Sequence, residues 1–266
     1  MAANEGHIRP RTIVLPAEHG AWGFLFEPIV LGLAVAPTVA GACLGVATIG
    51  AFLMRRPLKV LTNTKVPLSE SRKQQIAATA VVVYGAVAAL AFLAAVLLGG
   101  WRPLLPLVAM SPFVAIFLLY DTRNQGRQLL PELLGPPGLA AVAVSMAIAA
   151  GWSWPAAATL WVLLMARTIP SVTYIRARLR LEKGKPFAVM PVVLVHIVFT
   201  AAAAWLWRED LAPLLAILFL VALFGRAMVG LSPLRRFHRA KQVGVLEVVA
   251  GALYVLATAI GYYTGL

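Results

Sequence analysis

The chain alternates long apolar runs with short polar connections. Nine runs can be drawn between clusters of Gly, Pro and charged residues, each close to the roughly 17 to 25 residues that a membrane-spanning helix needs. The predicted spans are 18–36, 38–54, 74–98, 101–120, 128–151, 154–175, 187–207, 211–230 and 243–263. The pattern predicts an all-α integral membrane protein. We expect a single transmembrane domain, 1–266, that forms a bundle of about nine transmembrane helices behind a polar cytoplasmic tail at 1–16.

The composition supports a membrane protein and argues against a nucleic-acid partner. Hydrophobic residues make up 61% of the chain and charged residues 12%, whereas soluble domains average roughly 45–50% and 25%. The net charge of +13 is carried by residues between the apolar runs, where membrane topology explains it better than nucleic acid does. The single cysteine, Cys43, excludes an intrachain disulfide.

The positive charge is confined almost entirely to one side of the predicted bundle. The N-terminal tail and the connections after the second, fourth, sixth and eighth spans share that side, and the other side has only Arg102 and Arg208. Because short cytoplasmic loops are enriched in Lys and Arg, we expect the N-terminus in the cytoplasm and the C-terminus outside.

The sequence does not decide the local structure of two regions. The fifth span contains Gly135-Pro136-Pro137-Gly138, which predicts either a short turn before a spanning piece or a strongly kinked helix. The segment 55–75 is interpreted as the longest cytoplasmic loop. Its many cations are consistent with a loop that lies on anionic lipid or with one wall of a binding site.

A set of polar residues in and after the sixth span forms the first candidate site. Arg167, Ser171, Tyr174 and Arg178 follow one another at i, i+4, i+7 and i+11, so they share one face if the helix continues through Pro170. Arg167 lies inside the apolar run, where a charge needs a partner. The later cations of this segment are also explained by a helix end at the cytoplasmic membrane surface.

Acidic and histidine side chains in the first span are the second candidate group. Glu27 lies about two turns deeper than His19, on the same broad face of the helix. A carboxylate at this depth should pair with a cation, for which Arg167 and Arg226 are available, or be protonated. A structural ion pair and a functional role both remain open.

Other polar groups have plain structural explanations. We expect His196, in the middle of the seventh span, to bond a backbone carbonyl or a polar group of a neighbouring helix. Glu247 is interpreted as an acid near the start of the last helix, where its charge suits the helix dipole. Tyr120 and Arg123, after the fourth span, belong either to an ordinary cytoplasmic turn or to a further wall of the site.

Three stretches carry a resemblance to a known family. EHGAWGFLFEP, RRPL and RTIPSVTYIRARLR resemble the YwiC-like family of bacterial integral membrane proteins, over nearly the whole chain. The resemblance implies a multi-pass protein of the bacterial cytoplasmic (inner) membrane and no particular activity. The plan of nine helices with polar cytoplasmic loops after helices two, four and six is also similar to the UbiA superfamily of intramembrane prenyltransferases, which hold a prenyl diphosphate through Mg²⁺.

The sequence departs from the UbiA pattern at its metal motifs. UbiA enzymes bind the metal through two aspartate-rich motifs, after helices two and six, aided by a Tyr and a Lys or Arg near the end of helix four. By position, 55–73 and 167–185 take the place of the two motifs, and Tyr120 and Arg123 take the place of the helix-four residues. No N-D-x-x-D or D-x-x-x-D is present, and Mg²⁺ prefers hard oxygen ligands such as carboxylates. We therefore predict no metal and no other cofactor. Arg and Lys can instead clamp a phosphate or carboxylate directly.

The sequence thus predicts a UbiA-like bundle with a basic cytoplasmic-side cavity for an anionic amphiphile, such as an isoprenoid phosphate, a quinone-like molecule or a lipid. The candidate binding residues are His19, Glu27, Arg55, Arg56, Tyr120, Arg123, Arg167, Ser171, Tyr174 and Arg178. Metal-independent transfer is a conceivable extension, because cations stabilise a leaving diphosphate, but no catalytic residue is assigned. The alternatives are a non-enzymatic subunit or assembly factor with protein partners in a membrane complex and, third, a transporter.

Overall fold

A computed structural model describes residues 10–16, 19–62 and 71–266, without the side chains of residues 19, 20 and 71. Every regular element in these ranges is helical, and a single 3₁₀ turn precedes α5. The α-helices are α1 (Pro10–Val14), α2 (His19–Val35), α3 (Val39–Thr62), α4 (Ser71–Gly99), α5 (Leu105–Thr122), α6 (Leu129–Ala149), α7 (Trp154–Glu182), α8 (Met190–Arg208), α9 (Leu214–Leu231) and α10 (Ala240–Thr264).

The membrane bundle expected from the hydropathy pattern is confirmed. Within the described residues, the eight helices α3 to α10 are long and apolar enough to cross a bilayer. The apolar part of α2, Ala21–Val35, is shorter. Each of the nine predicted spans coincides with one of the helices α2 to α10. The chain is therefore an all-α, multi-pass membrane protein.

The predicted interruption of the fifth span is absent. Pro136 and Pro137 lie inside α6, which continues unbroken from Leu129 to Ala149. The first half of α6 is packed against α7, where Trp161 Nε1 donates to the Pro137 carbonyl at 3.1 Å. Neighbouring helices can satisfy backbone groups around prolines in membrane helices. The prediction of a separate turn before the spanning piece is wrong.

The helix α3 is longer than its apolar run. It extends to Thr62 with Pro57 inside it, so Arg55, Arg56 and Lys59 lie on its last turns and not in a loop. A proline near a helix end removes only one backbone hydrogen bond, and the flanking Arg, Leu and Lys are good helix formers. The interpretation of 55–75 as a loop is therefore wrong for 55–62 and 71–75, while 63–70 lie outside the described residues.

Burial places α6 and α7 at the centre of the bundle. The apolar spans of α7 and α6 are 67% and 61% buried, against 6% for those of α4 and α5. Leu160 and Leu164 of α7 pack with Ala143 and Ala147 of α6 in the main apolar core. Polar residues on α7 are consequently held at the interior of the molecule, and α4 and α5 face outward.

Candidate functional site

The polar face of α7 forms as its spacing predicts. The helix is continuous through Pro170 and ends at Glu182. Arg167, Ser171, Tyr174 and Arg178 are exposed by only 2, 5, 8 and 3%. All four point into the bundle, which confirms the prediction that they share one face.

The deepest polar contacts form what we call the buried ion network, made by Glu27, Arg167, Ser171, Arg226 and Glu247. Arg167 Nη2 donates to Glu27 Oε1 at 3.1 Å and to the Glu247 carbonyl at 2.7 Å. Its Nη1 donates to Ser171 Oγ at 2.5 Å and lies 3.6 Å from Glu247 Oε2. Arg226 pairs with the other Glu247 oxygen. The expected pairing of Glu27 with a deep cation is confirmed.

The network is balanced in charge. It contains two carboxylates and two guanidinium groups, contributed by α2, α7, α9 and α10. A lone ionised side chain in the hydrocarbon region costs about 2.5–3.5 kcal/mol on insertion scales, and removing one partner of a buried pair exposes the other to that penalty. The arrangement therefore holds four helices in register, with its charges already neutralised from within the chain.

Glu247 is the member of the network that the sequence interpretation misplaced. α10 begins at Ala240, so Glu247 lies about two turns inside the helix and is only 6% exposed. The interpretation of Glu247 as an acid at a helix N-terminus is wrong. Glu247, like Glu27, is an acid within a predicted span, so the cost of a carboxylate at membrane depth also predicts a cationic partner for it.

A glycine on α10 makes room for this network. A Cβ atom built on Gly251 would collide with the Glu27 carboxylate and lie 2.8 Å from Arg167 Nη2. Gly251 is itself only one turn beyond Glu247. The absence of a side chain at this position allows α10 to approach α2 closely enough for the charges to meet.

Arg178 faces the end of α9. Its guanidinium donates to the carbonyls of Gly230 and Arg236 and lies 2.6 Å from Glu182 Oε1. Cations commonly bind the free carbonyls at helix C-termini. Arg178 thus links α7 to the connection between α9 and α10. A direct contact of Arg178 with a ligand stays a prediction.

Tyr174 also belongs to the contact between α7 and α9. The Arg226 guanidinium lies 5.2 Å from the centre of its ring, a cation–π distance. A Cβ atom on Gly230 would lie 2.9 Å from Tyr174 Cε2, so the ring packs directly against the α9 backbone.

Arg55 belongs to a different cluster, at the ends of α3 and α5. Arg55 Nη2 and Lys59 Nζ lie 3.3 and 2.8 Å from the two oxygens of Asp121. The Arg55 guanidinium also lies over the rings of Phe52 and Phe117, at 5.0 and 4.7 Å. These contacts join α3 to α5 and neutralise part of the positive charge of α3.

The remaining predicted site residues are dispersed. Arg56 Nε donates to the Thr12 carbonyl of α1 at 3.3 Å. Tyr120 is half-buried and Arg123, which caps the C-terminus of α5, is exposed. The side chain of His19 lies outside the described residues. Arg55 and Arg56 border one small pocket together with Lys59 and Asp121. The other described contacts distribute the predicted set over the buried ion network and the α9 end.

A groove lies on the opposite side of α7 from the buried ion network. It has a volume of about 460 Å³ and is bordered by α6, α7 and α8. We call it the α7–α8 groove. Its lining residues are Leu129, Thr173, Arg176, Ala177, Arg180, Pro186, Phe187, Ala188, Pro191 and Val192. The lining is mostly apolar, with two arginines at its edge.

Both arginines are positioned by carbonyl groups. Arg176 Nη1 contacts Glu132 Oε2 at 2.5 Å and the Arg127 carbonyl at 3.1 Å. Arg180 Nε donates to the Pro186 carbonyl at 2.7 Å, and its side chain is exposed. Each guanidinium has five N–H donors in a fixed plane, so further donors remain for a ligand.

Two helices begin at this groove. Leu129 is the first residue of α6, and α8 begins at Met190 directly before Pro191. Neither N-cap residue, Gln128 or Val189, makes a side-chain capping bond. The partial positive charge of both helix N-termini therefore adds to that of the arginines.

Sequence reasoning missed this groove. For Arg176 and Arg180 the sequence offers a helix end at the membrane surface as one of two explanations, and it indicates no groove. The available signal was the spacing of Thr173, Arg176, Ala177 and Arg180, which places them on a second face of the same helix. The α8 residues that complete the groove, such as Val192, could not be predicted from the spacing within α7.

His196 contacts a backbone carbonyl, as predicted. Its Nδ1 lies 2.7 Å from the Val192 carbonyl one turn earlier. Its ring stacks on that of Phe224 of α9, with centroids 5.2 Å apart. The prediction of a backbone hydrogen bond is confirmed.

The described residues suggest no protein-built metal centre. In that part of the chain, no three His, Cys, Asp or Glu side chains are grouped as possible ligands. Glu27 and Glu247 both contact arginines, which compete with a metal ion for their oxygens.

Comparison with known proteins identifies the family but no activity. A family profile described as "YwiC-like protein" matches residues 15–150, slightly more than half of the chain. Neither the comparison with curated proteins nor that with solved structures found a match, so the resemblance to the UbiA superfamily stays a prediction. The matched region runs from the residues just before α2 through α6 and contains Glu27, Arg55 and Asp121. The chain belongs to the YwiC-like protein family.

Proposed function

We propose that this membrane protein binds an anionic amphiphile, an isoprenoid phosphate or a phospholipid, in the α7–α8 groove. Its anionic head would contact Arg176 and Arg180, and its tail would lie along Phe187, Ala188 and Pro191. The single observation that carries the proposal is this division of one groove into a cationic edge and an apolar floor.

The size of the groove suits such a ligand. Small-molecule sites typically occupy roughly 300–1,000 Å³ and are mainly apolar, with a few placed polar groups. The groove has about 460 Å³ and lies among helices that cross the membrane. A tail can therefore continue from the groove into the surrounding lipid.

The electrostatics favour this groove over the buried ion network as the anion site. Every charge of the network already has an opposite charge beside it, and an anion there would meet Glu27 and Glu247. No carboxylate lines the groove. Arg176 has Glu132 as its counter-charge, and a bidentate phosphate contact can replace that pair.

Binding is proposed without an assigned reaction. A transferase would need a nucleophile or base near the ligand head, and Thr173 is the only hydroxyl side chain among the lining residues of the groove. Metal-independent prenyl transfer rests on the resemblance to the UbiA superfamily, and extending a fold resemblance to an activity is an analogy. The ligand is accordingly defined by its chemistry, an anionic head on an apolar tail.

Native mass spectrometry of the purified protein, with analysis of extracted lipids, tests the proposal. The wild-type protein should retain a phosphorylated lipid. Ala188→Trp, which fills the groove, should abolish its retention, and Val189→Trp is the matched control because the adjacent residue 189 is absent from the lining. Arg180→Gln should reduce retention about tenfold, since a charged hydrogen bond contributes about 1.5–3 kcal/mol, whereas Lys183→Gln should not.

Two results would contradict the proposal. The first is a wild-type protein that retains no phosphorylated lipid when purified from its native membrane. The second is equal retention by Ala188→Trp and Val189→Trp, which would place the lipid elsewhere on the bundle.

The outward faces of α4 and α5 favour a second candidate function, a subunit or assembly factor of a membrane complex. Their apolar spans are only 6% buried, and α4 is rich in alanine, a residue common at membrane helix interfaces. Cross-linking in native membranes through cysteines placed on α4 would recover a partner chain. Recovery of the chain from native membranes without any cross-linked partner would remove this candidate.

A further inference from the structure

The connection between α9 and α10 presents large apolar side chains outside the bundle. It covers residues 232–239, and we call it the α9–α10 connection. Leu234 is 83% exposed and Phe237 is 71% exposed. Such exposure is unfavourable in water, and it calls for a covering environment.

Cations are interleaved with these apolar residues. Arg235, Arg236, Arg239 and Lys241 lie within or directly after the connection, and the segment 232–241 contains no acidic residue. Arg236 and Lys241 are exposed. The surface thus combines apolar and positive groups at the same place.

The connection is held in a defined conformation. Arg178, buried in α7, donates to the carbonyls of Gly230 and Arg236. Ser232 Oγ accepts from the Leu234 N–H at 3.2 Å, and the Ser232 carbonyl accepts from the Arg235 N–H at 3.2 Å. The exposure of Leu234 and Phe237 therefore belongs to an ordered turn.

The position of the connection indicates its occupant. α9 and α10 are both candidate spans, so the segment that joins them lies at the membrane boundary. Apolar side chains flanked by Lys and Arg bind at this boundary, with the apolar groups below the headgroups and the cations on anionic phosphates. Charge asymmetry assigns this side to the cytoplasmic leaflet, which carries the anionic lipids.

We propose that the α9–α10 connection is a membrane-surface anchor that inserts Leu234 and Phe237 among anionic phospholipids. Arg235 and Arg236 contact the headgroups of the same leaflet, and Arg178 positions the anchor on α7. This surface is separate from the α7–α8 groove and does not depend on the function proposed for it.

Spin labelling of the full chain in bilayers tests the anchor. A nitroxide is attached through Leu234→Cys or Phe237→Cys in a Cys43→Ala background, so that each label leaves the other apolar side chain in place. The protein is reconstituted in phosphatidylcholine with or without phosphatidylglycerol. Collision with oxygen reports lipid exposure of the label, and collision with a water-soluble nickel chelate reports water exposure.

In bilayers with phosphatidylglycerol, both labels should be accessible to oxygen and protected from nickel. Each cation near an anionic surface raises binding about fivefold, so Arg235→Gln with Arg236→Gln should lower the ratio of inserted to free anchor roughly 30-fold. A label at Glu209→Cys, on the opposite side of the bundle, should stay accessible to nickel in both membranes.

Either of two results overturns the proposal. Labels at 234 and 237 that remain accessible to nickel in anionic bilayers would show that the side chains are not inserted. Equal protection from nickel in neutral bilayers, unchanged by Arg235→Gln with Arg236→Gln, would show that anionic headgroups do not hold the connection. If the labels were then also protected from oxygen, a protein surface from a second copy or a partner would cover them.

Discussion

Arg167 is the residue on which the interior of the bundle depends. It is 2% exposed and contacts Glu27 and Ser171 directly, as well as both the carbonyl and the carboxylate of Glu247. Its long apolar stem and planar fork allow one side chain to serve partners on two other helices. Because its charge is compensated on several sides, its removal should be more damaging than that of any exposed cation.

We expect Arg167→Met to destabilise the protein by about 3–5 kcal/mol, because Glu27 loses its cation and remains buried as an unpaired charge. The measurement is reversible unfolding in mixed micelles of increasing denaturing-detergent content. Arg123→Met, at an exposed arginine, should change stability by less than about 0.5 kcal/mol.

A double-mutant cycle tests whether the loss comes from the pair. Combining Arg167→Met with Glu27→Leu should cost less than the sum of the two single changes, since no charge of the pair is then left alone. Strict additivity would mean that Glu27 and Arg167 do not stabilise each other.

At the scale of elements, α7 is a helix with two polar faces. Arg167, Ser171 and Arg178 face the buried contacts with other helices, and Arg176 and Arg180 face the α7–α8 groove. Its rotation about its own axis is therefore determined by ion pairs on one side and by α8 on the other. The α10 helix contributes by close approach at Gly251.

Gly251→Ala should destabilise the protein by about 1–3 kcal/mol, because the added methyl group overlaps the Glu27 carboxylate and overpacking costs this much. Gly244→Ala is the matched control on the same helix, since a Cβ there meets nothing within 4 Å. It should stabilise by about 0.5–1 kcal/mol through helix propensity. The same unfolding assay measures both, and equal effects at the two positions would contradict the close approach.

At the scale of the whole molecule, burial and charge divide the bundle in two directions. Across the membrane plane, α6 and α7 form the buried centre and α4 and α5 an outward-facing edge. Along the membrane normal, the cations collect on the side that holds the ends of α3, α5 and α7. Both the groove arginines and the α9–α10 connection lie on that basic side.

We expect that basic side to face the cytoplasm. In a Cys43→Ala background, a membrane-impermeant thiol reagent added to intact cells should label Glu209→Cys and leave Lys183→Cys unlabelled until the cells are opened. Both positions are exposed and directly follow a helix, α8 and α7 respectively. Labelling of Lys183→Cys alone in intact cells would reverse the predicted orientation.

Several features were predictable because they depend on local pattern. Uninterrupted apolar runs located the helices α2 to α10, and the spacing from Arg167 to Arg178 placed four side chains on one face. The cost of a lone charge in lipid required a partner for Glu27. Helix ends were harder to predict, because a helix can continue beyond its apolar run. The α3 helix extends to Thr62, and the cations on its last turns reach water or Asp121.

Sequence alone therefore determined that the chain is a helical membrane bundle, since length and hydropathy act within each segment. Its membership of the YwiC-like family follows from similarity of sequence and not from these properties. The tertiary structure decided which polar groups meet. Glu247 joins the buried ion network and Arg178 turns to the end of α9, while α8 completes a groove beside Arg176 and Arg180. In the same network, Glu27 and Arg167 are 140 positions apart, and the packing of whole helices, not local spacing, sets the distance between them.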